Sequence, residues 1–121
     1  MKDKFYTISD ITAEGNAVIA MLVLNEKHPV FEGHFPGQPI VPGVCMMQIV
    51  KEIAEVTFEQ KLRLVKANDL KFLNVIDPRE NKILELQLNY TRNNAAINVL
   101  ATLSKDSAIC FKFNGVFSGS F

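Results

Sequence analysis

The spacing of hydrophobic and polar residues changes twice along the chain. Residues 17–25, AVIAMLVLN, form an uninterrupted aliphatic and β-branched run, which predicts a β-strand buried on both faces. Residues 43–59 predict an α-helix, because their polar side chains fall on a single stripe. These polar residues are Gln48, Lys51, Glu52, Glu55 and Glu59. The remainder of the helix is apolar, most densely at its N-terminal end, so we expect other structure to wrap around it.

After the helix, apolar side chains recur at every second position. This alternation predicts strands over residues 84–90, 97–103 and 109–114, and the short polar connections TRNNA and SKDS indicate an antiparallel meander. An earlier strand is predicted over residues 69–76, ending at the turn DPREN. The order is therefore strand, long loop, helix and four strands. We interpret residues 1–121 as a single α+β domain with one hydrophobic helix against one antiparallel sheet.

The loop before the helix is rich in residues that restrict or shape the backbone. Four of the five prolines and three of the six glycines lie between Pro29 and Gly43. Proline fixes its own φ and also restricts the residue before it, so the segment is stiff. His34, between Gly33 and Phe35, lies at the entry to this stiff stretch. A rigid loop is suited to aiming a side chain, which makes His34 a candidate catalytic base.

The helix start provides a second indication of chemistry. No Ser, Thr, Asp or Asn stands at residues 40–43 to cap it, and Pro42 and Gly43 lead directly into Val44. Its free N–H groups need an acceptor, and the helix dipole favours negative charge there. Water is one acceptor. The other is a ligand oxygen that gains negative charge beside the amides of Gly43 and Val44, which suits proton abstraction next to a carbonyl.

The segment HPVFEGHFPGQPIVPGV resembles the signature loop of the 3-hydroxyacyl-acyl-carrier-protein dehydratases of the hot-dog fold. That signature has a Gly-His-Phe-Pro element, then Pro-x-x-Pro-Gly, then a helix. LKFLNVIDP, at residues 70–78, is similar to the later strand and proline-containing turn of the same family. The resemblance covers roughly residues 17–117. It implies a helix wrapped by a curved antiparallel sheet, and two subunits joined edge to edge with two sites at their interface.

The resemblance also implies roles for individual residues. His34 would move the α-proton, and the Gly43 amide would polarise the thioester carbonyl. Gln48 stands at the position of the acid that handles the β-hydroxyl, which comes from the helix of the other subunit. The family has Glu there, or Asp in the branch that also isomerises, so the acid position is degenerate in this chain. Three further residues are expected to line the substrate pocket, namely Phe31, Phe35 and Val44.

Three explanations of Gln48 remain open if the protein is an enzyme. Gln48 orients a water or the substrate hydroxyl while His34 carries out both proton transfers. Alternatively, Glu52, about 6 Å further along the same helix stripe, replaces the missing acid. In the third explanation, a mixed dimer with a paralogue combines His34 with an acid from the other chain.

Two alternatives belong to other functional classes. One is a non-catalytic acyl-binding subunit that pairs with an active paralogue. The other is an acyl thioesterase, as found among other hot-dog proteins. Such thioesterases generally use a carboxylate near the helix start, where this loop has only Glu32. The intact Gly-His-Phe-Pro element favours the dehydratase.

Composition narrows the classes of partner. Thirteen basic side chains balance thirteen acidic ones, which gives no support for nucleic-acid binding. No apolar segment is long enough to span a membrane, and no cofactor or metal motif is present. Cys45 and Cys110 are predicted to be reduced residues of the core. We therefore expect a cytoplasmic protein without a cofactor, acting on an acyl-carrier-protein or coenzyme A thioester. Its expected assembly is a homodimer, with a higher oligomer or a mixed dimer with a paralogue as alternatives. A modest basic cluster for an acidic carrier follows the helix, at Lys61, Arg63 and Lys66.

Overall fold

The computed structural model describes residues 4–31 and 40–119, which form six β-strands, one α-helix and one 3₁₀ turn. In chain order these are β1 (Tyr6–Glu14), β2 (Ala17–Leu24), the 3₁₀ turn (Pro29–Phe31), α1 (Gly43–Phe58), β3 (Leu62–Phe72), β4 (Ile83–Asn93), β5 (Ala96–Lys105) and β6 (Ala108–Gly119). The strands form one antiparallel sheet in the order β1-β2-β4-β5-β6-β3. The predicted α+β class, the helix and the β4–β5–β6 meander are thus confirmed.

Two strand predictions need correction. β1 was not predicted, so two strands rather than one precede the helix. β3 was predicted over residues 69–76 but runs from Leu62 to Phe72. Its pairing with β6 shifts register between Leu64 and Lys66 and again between Ala67 and Asp69. These irregularities bend the strand and interrupt the alternation that marks a strand in the sequence.

The prediction that β2 is buried on both faces was wrong. Val18, Ala20, Leu22 and Leu24 are buried, whereas the intervening side chains are at least partly exposed. Ile19, for example, is 43% exposed. The physical reason is that α1, the only α-helix in the described part of the chain, packs against one face of the sheet. The apolar outer positions of β2 therefore face away from the core.

The core lies between α1 and the inner face of the sheet. The helix buries one continuous side, comprising Cys45, Met46, Ile49, Val50, Ile53 and Ala54. These residues pack with the inward-facing side chains of the strands in one hydrophobic cluster. Burying each large aliphatic side chain contributes roughly 1.5–3 kcal/mol, so this cluster holds α1 in place. Cys45 and Cys110 are both buried and unpaired, as expected for reduced core cysteines.

Three hydrogen bonds to backbone carbonyls connect the start of the helix to the sheet. One joins it to the segment after β3, and the other two join that segment to β6. The amide of Val41 donates to the carbonyl of Ile76 at 2.9 Å. The segment that carries Ile76 is in turn tied to β6, because the Leu73 amide donates to the carbonyl of Cys110 at 2.8 Å. The Asn74 side chain also donates to the carbonyl of Ile109 at 2.7 Å. The helix start is therefore anchored to the sheet beside the last residues of β3.

Within residues 4–31 and 40–119, none of the helices combines the length and the hydrophobicity required to cross a bilayer.

Candidate functional site

The first turn of α1 lacks a side-chain cap. Pro42 is the N-cap residue, with extended backbone angles of φ −63° and ψ 152°, and its carbonyl accepts from the amides of Cys45 and Met46 at 3.0 and 3.2 Å. The two amides that precede these, on Gly43 and Val44, have no acceptor among the described residues. The sequence prediction of an uncapped helix start is therefore confirmed. Two N–H donors without acceptors among the described residues therefore stand at the positive end of the helix dipole.

Glycine at the helix start leaves room for the ring of Phe72. A Cβ built on Gly43 would lie 2.9 Å from two ring carbons of Phe72, closer than normal van der Waals contact. The ring also stacks on Phe111, with centroids 4.9 Å apart. Phe72 is 55% exposed, so its ring lies at the surface beside the helix start and is not part of the core. The sheet thus brings an aromatic wall directly against the open helix start.

Two apolar cavities flank this ring, and both reach Gly43. The larger, which we call the helix cavity, has a volume of about 520 Å³ and is lined by Gly43, Val44, Met47, Gln48, Lys51, Leu64, Leu70, Phe72 and Phe117. The smaller, the turn cavity, has a volume of about 380 Å³ and is lined by Ile40, Val41, Gly43, Met46, Phe72, Leu73, Asn74 and Val75. A mostly hydrophobic cavity with a few converging polar groups is the usual form of a small-molecule site.

Gln48 is held in a hydrogen-bonded chain that links α1 to β1. Its Nε2 donates to Oε2 of Glu52 at 2.8 Å, and the Tyr6 hydroxyl donates to Oε1 of the same carboxylate at 2.5 Å. Tyr6 is only 1% exposed, while Gln48 and Glu52 are half-buried. This series of hydrogen bonds therefore runs from the buried Tyr6 to Gln48 at the edge of the helix cavity.

Burial and hydrogen bonds determine the protonation states of Glu52 and Tyr6. Burial favours the neutral form of Glu52, but the hydrogen bonds from Gln48 and Tyr6, together with the positive charge of Lys4, hold the pKa of this carboxyl below its usual range. Burial, followed by the hydrogen bond to Glu52, raises the pKa of Tyr6 far above its ordinary value. At neutral pH Glu52 is thus a carboxylate and Tyr6 a phenol. This argues against Glu52 as a replacement general acid.

The structure brings together three of the predicted site residues. Gly43, Val44 and Gln48 line the helix cavity, and Val44 is 77% exposed at its edge. Phe31 instead lies in the core, where its ring packs edge-on against Phe5 and His28, and it does not line either cavity. Its role in substrate binding stays a prediction. Three other residues of the sequence analysis, Glu32, His34 and Phe35, lie outside the described residues.

Sequence reasoning did not identify two of the structural partners. Tyr6 lies in the strand that was not predicted, 46 residues from Glu52. Phe72 was included in a predicted strand, but nothing in its spacing indicated that its ring would cover the helix start. In the described part of the chain, no three His, Cys, Asp or Glu side chains are grouped as ligands for a metal ion.

The described site can be compared with known proteins. A family model described as ApeI-like, ApeI dehydratase, matches residues 10–112. The 3-hydroxyacyl-[acyl-carrier-protein] dehydratase FabZ of Caldanaerobacter subterraneus subsp. tengcongensis is 30% identical over a segment that covers 65% of this chain and 61% of the relative. The FabZ of Thermoanaerobacter sp. is 29% identical, with coverages of 63% and 58%. The chain thus spans about three-fifths of the length of these curated relatives.

Solved structures with the same architecture come from dehydratases and from thioesterases. The dehydratase heterocomplex ApeI:P from Xenorhabdus doucetiae superimposes with a TM-score of 0.75 at 19% identity, covering 93% of this chain and 96% of the matched chain. A putative thioesterase from Ralstonia eutropha has a TM-score of 0.65 at 15% identity, with coverages of 93% and 83%. At these identities the likeness concerns the fold, and the predicted hot-dog fold is confirmed.

Proposed function

We propose, since the chain belongs to the ApeI-like dehydratase family, that it removes water from 3-hydroxyacyl thioesters to give 2-enoyl thioesters. The observation that carries this proposal is the helix cavity. In each subunit, one apolar space is bordered by Gly43 and Val44, whose amides have no acceptor among the described residues, and by Gln48, about one and a half turns further along α1. In the proposed dimer, the Gln48 that faces the substrate hydroxyl at one subunit's helix start and His34 comes from the other subunit. Donors for a developing oxyanion and a polar group for the departing hydroxyl are two of the features that such an elimination requires, and the third is a base.

In the proposed reaction His34 removes the proton from C2 of the substrate. The electron pair of that C–H bond moves toward the thioester carbonyl, whose oxygen accepts hydrogen bonds from the amides at the helix start. The pair then forms the C2–C3 double bond as the C3–O bond breaks. The departing hydroxide takes the proton that His34 has acquired and leaves as water. His34 thus carries out both proton transfers, as general base and then as general acid.

Gln48 affects the second half of this reaction. An amide donates and accepts hydrogen bonds, but it does not protonate a leaving group at neutral pH. Loss of a general acid typically costs ~10²–10⁴ in rate. We therefore expect a slower dehydratase than a family member with Glu at this position.

We propose that the thioester is presented by an acyl carrier protein or by coenzyme A. The names of the FabZ relatives include the acyl carrier protein, which supports a carrier-bound substrate. Lys61, Arg63 and Lys66 are exposed where α1 ends and β3 begins, and they offer positive charge to an acidic carrier. Lys51 lines the helix cavity and would add positive charge at the site itself.

The proposed assembly is a dimer that extends the sheet through β3. β3 is the outermost described strand beside β6, so one of its edges has no partner among the described strands. Its exposed apolar side chains include Leu64, Val65, Leu70 and Phe72. Pairing two such edges would satisfy their backbone groups and cover this surface. A paralogue that supplies an acid is the alternative partner, and the similarity to one chain of the ApeI:P heterocomplex supports that alternative.

A thioesterase is the second candidate function, favoured by the structural likeness to a putative thioesterase. Hydrolysis would require a carboxylate near the helix start to activate water. The first turn of α1 contains no acidic residue. The dehydratase is therefore preferred.

Mass spectrometry of a 3-hydroxybutyryl thioester after incubation distinguishes these activities. Dehydration lowers the thioester mass by the mass of one water, hydrolysis releases the free thiol, and a binding subunit changes neither. We expect loss of water with the wild type. A matched pair of variants tests the base: His34→Ala should abolish the reaction, whereas His28→Ala replaces the other histidine of the chain and should preserve it. Thiol release by the wild type would refute the proposal.

A further inference from the structure

We infer that Glu52 is a positioning residue that, together with Tyr6, orients the Gln48 amide so that its carbonyl oxygen accepts a hydrogen bond from the substrate hydroxyl. This inference rests on the proposed function, because it assigns a ligand group to the same cavity. It predicts that the site distinguishes acyl thioesters with a 3-hydroxyl group from those without one.

The orientation of the amide follows from the protonation state of its partner. An ionised carboxylate only accepts hydrogen bonds. Glu52 uses one oxygen to accept from Tyr6 and the other to accept from Gln48. The atom of Gln48 that faces Glu52 must therefore be the NH₂ nitrogen, since the carbonyl oxygen would face another acceptor.

Tyr6 keeps the carboxylate in this position. Its ring is buried and packs edge-on against Phe5, with centroids 5.0 Å apart. The hydroxyl therefore has little freedom to move away from Glu52. The four-residue spacing of Gln48 and Glu52 on α1 places their side chains on the same face of the helix. Strand β1 and helix α1 thus fix the carboxylate from two directions.

The carbonyl oxygen of Gln48 is left for the helix cavity. No donor for it exists among the described residues, although Gln48 lines that cavity. An acceptor in a largely apolar cavity favours a ligand that brings a donor, and the C3 hydroxyl of a 3-hydroxyacyl thioester is such a donor. A ligand without the hydroxyl would bury this oxygen without a hydrogen bond, which is unfavourable.

The test compares the affinity of the protein for two ligands, a 3-hydroxybutyryl thioester and the matching butyryl thioester. Both are used as unreactive coenzyme A thioether analogues, in which a methylene group replaces the thioester carbonyl, and their binding is measured by calorimetry. For the wild type we expect the hydroxylated ligand to bind about tenfold more tightly. Glu52→Gln allows the Gln48 amide to turn, so this preference should fall to about twofold while the affinity for the butyryl ligand stays the same.

Two further variants separate positioning from a structural effect. Glu55→Gln makes the same change elsewhere on the polar stripe of α1, where the carboxylate accepts from the Leu62 amide. It should keep the tenfold preference even if the protein is less stable. Tyr6→Phe frees one oxygen of Glu52 and should reduce the preference partly, which provides a second measurement if Glu52→Gln folds poorly.

The outcomes distinguish this inference from the proposed function. An unchanged preference in both Glu52→Gln and Tyr6→Phe, or a wild type that binds the two ligands equally, would overturn the positioning role even if the protein dehydrates its substrate. A wild type that shows the preference and loses it in Glu52→Gln supports the role even if no dehydration is detected.

Discussion

Replacing Gln48 by Glu is the most informative change to the candidate site, because it alters the protonation chemistry with almost no change in shape. The substitution places a carboxyl where the family has its acid. We predict at least a tenfold increase in the rate of crotonyl-thioester formation from a 3-hydroxybutyryl thioester, equivalent to about 1.4 kcal/mol of barrier. The gain is smaller than the full effect of a general acid because its size depends on how much of the new carboxyl is protonated.

The structure indicates that this carboxyl would retain its proton to unusually high pH. It would replace an amide nitrogen that lies 2.8 Å from Oε2 of Glu52. Two unit charges about 4 Å apart repel by about 1 kcal/mol in water and by about 4 kcal/mol at an effective dielectric constant near 20. Both side chains are half-buried, so we expect this repulsion to raise the pKa of the new carboxyl above its ordinary value near 4.3. The raised pKa belongs to the pair of carboxyls.

The assay measures crotonyl-thioester formation by wild type and Gln48→Glu from pH 5 to 9. The variant should have its greatest advantage on the acidic side and lose it as the pH rises through the pKa of the pair. Removing the neighbouring charge in Gln48→Glu/Glu52→Gln should lower that pKa and shift the profile toward acid. Gln60→Glu makes the same change beyond the end of α1 and should leave the rate unaltered.

A wild type that is already fast, with Gln48→Glu no faster at any pH, would refute the reasoning. The absence of an acid at position 48 would then not limit the rate. His34 alone, water or another residue would then protonate the departing hydroxyl efficiently.

Four further predictions concern the base, the helix start, the buried tyrosine and the edge of the sheet. His34→Ala should abolish dehydration with an unchanged melting temperature, as checked by mass spectrometry and calorimetry. Gly43→Ala should lower kcat/KM about tenfold in steady-state kinetics, because the added Cβ displaces the Phe72 ring that lies 2.9 Å away. Tyr6→Phe should lower the free energy of unfolding by about 1.5–3 kcal/mol at pH 7, measured in urea. Because burial raises the pKa of Tyr6 in the folded state above that in the unfolded chain, this stability is complete below about pH 10 and declines at higher pH, so the variant should lose less stability there. Val65→Lys should weaken the proposed dimer, detected by sedimentation as more monomer at micromolar concentration; an unchanged dimer would exclude pairing through β3.

The helix and the meander were predictable because each keeps one regular period. The polar stripe of α1 and the alternation of β4 and β5 survive in the structure almost residue for residue. In β6 the predicted alternation holds from Phe111 onward, whereas Ile109 is exposed and Cys110 is buried. β1 was not predictable on the same basis. Tyr6 is the only buried residue of that strand, and its pairing with β2 shifts register between Ile8 and Asp10. A largely exposed edge strand with a bulge has no clear hydrophobic period.

The candidate site was predictable where it depends on neighbouring residues of one helix. Gly43, Val44 and Gln48 lie within two turns of α1, so helix geometry alone brings them near one another. Tyr6 and Phe72 reach the site through the pairing of the sheet, which depends on strand order and register. Neither is encoded in a local pattern.

We expect the protein to remove the C2 proton efficiently but to expel the hydroxyl slowly. Measuring the deuterium content of the substrate tests this central claim most directly. The protein is incubated with a 3-hydroxybutyryl thioester in D₂O, and the remaining substrate and the product are followed by mass spectrometry. We expect wild type to incorporate deuterium at C2 of the remaining substrate faster than it forms the crotonyl thioester, and His34→Ala to do neither. Rapid product formation without label in the remaining substrate, thiol release, or equal labelling by His34→Ala would contradict this expectation.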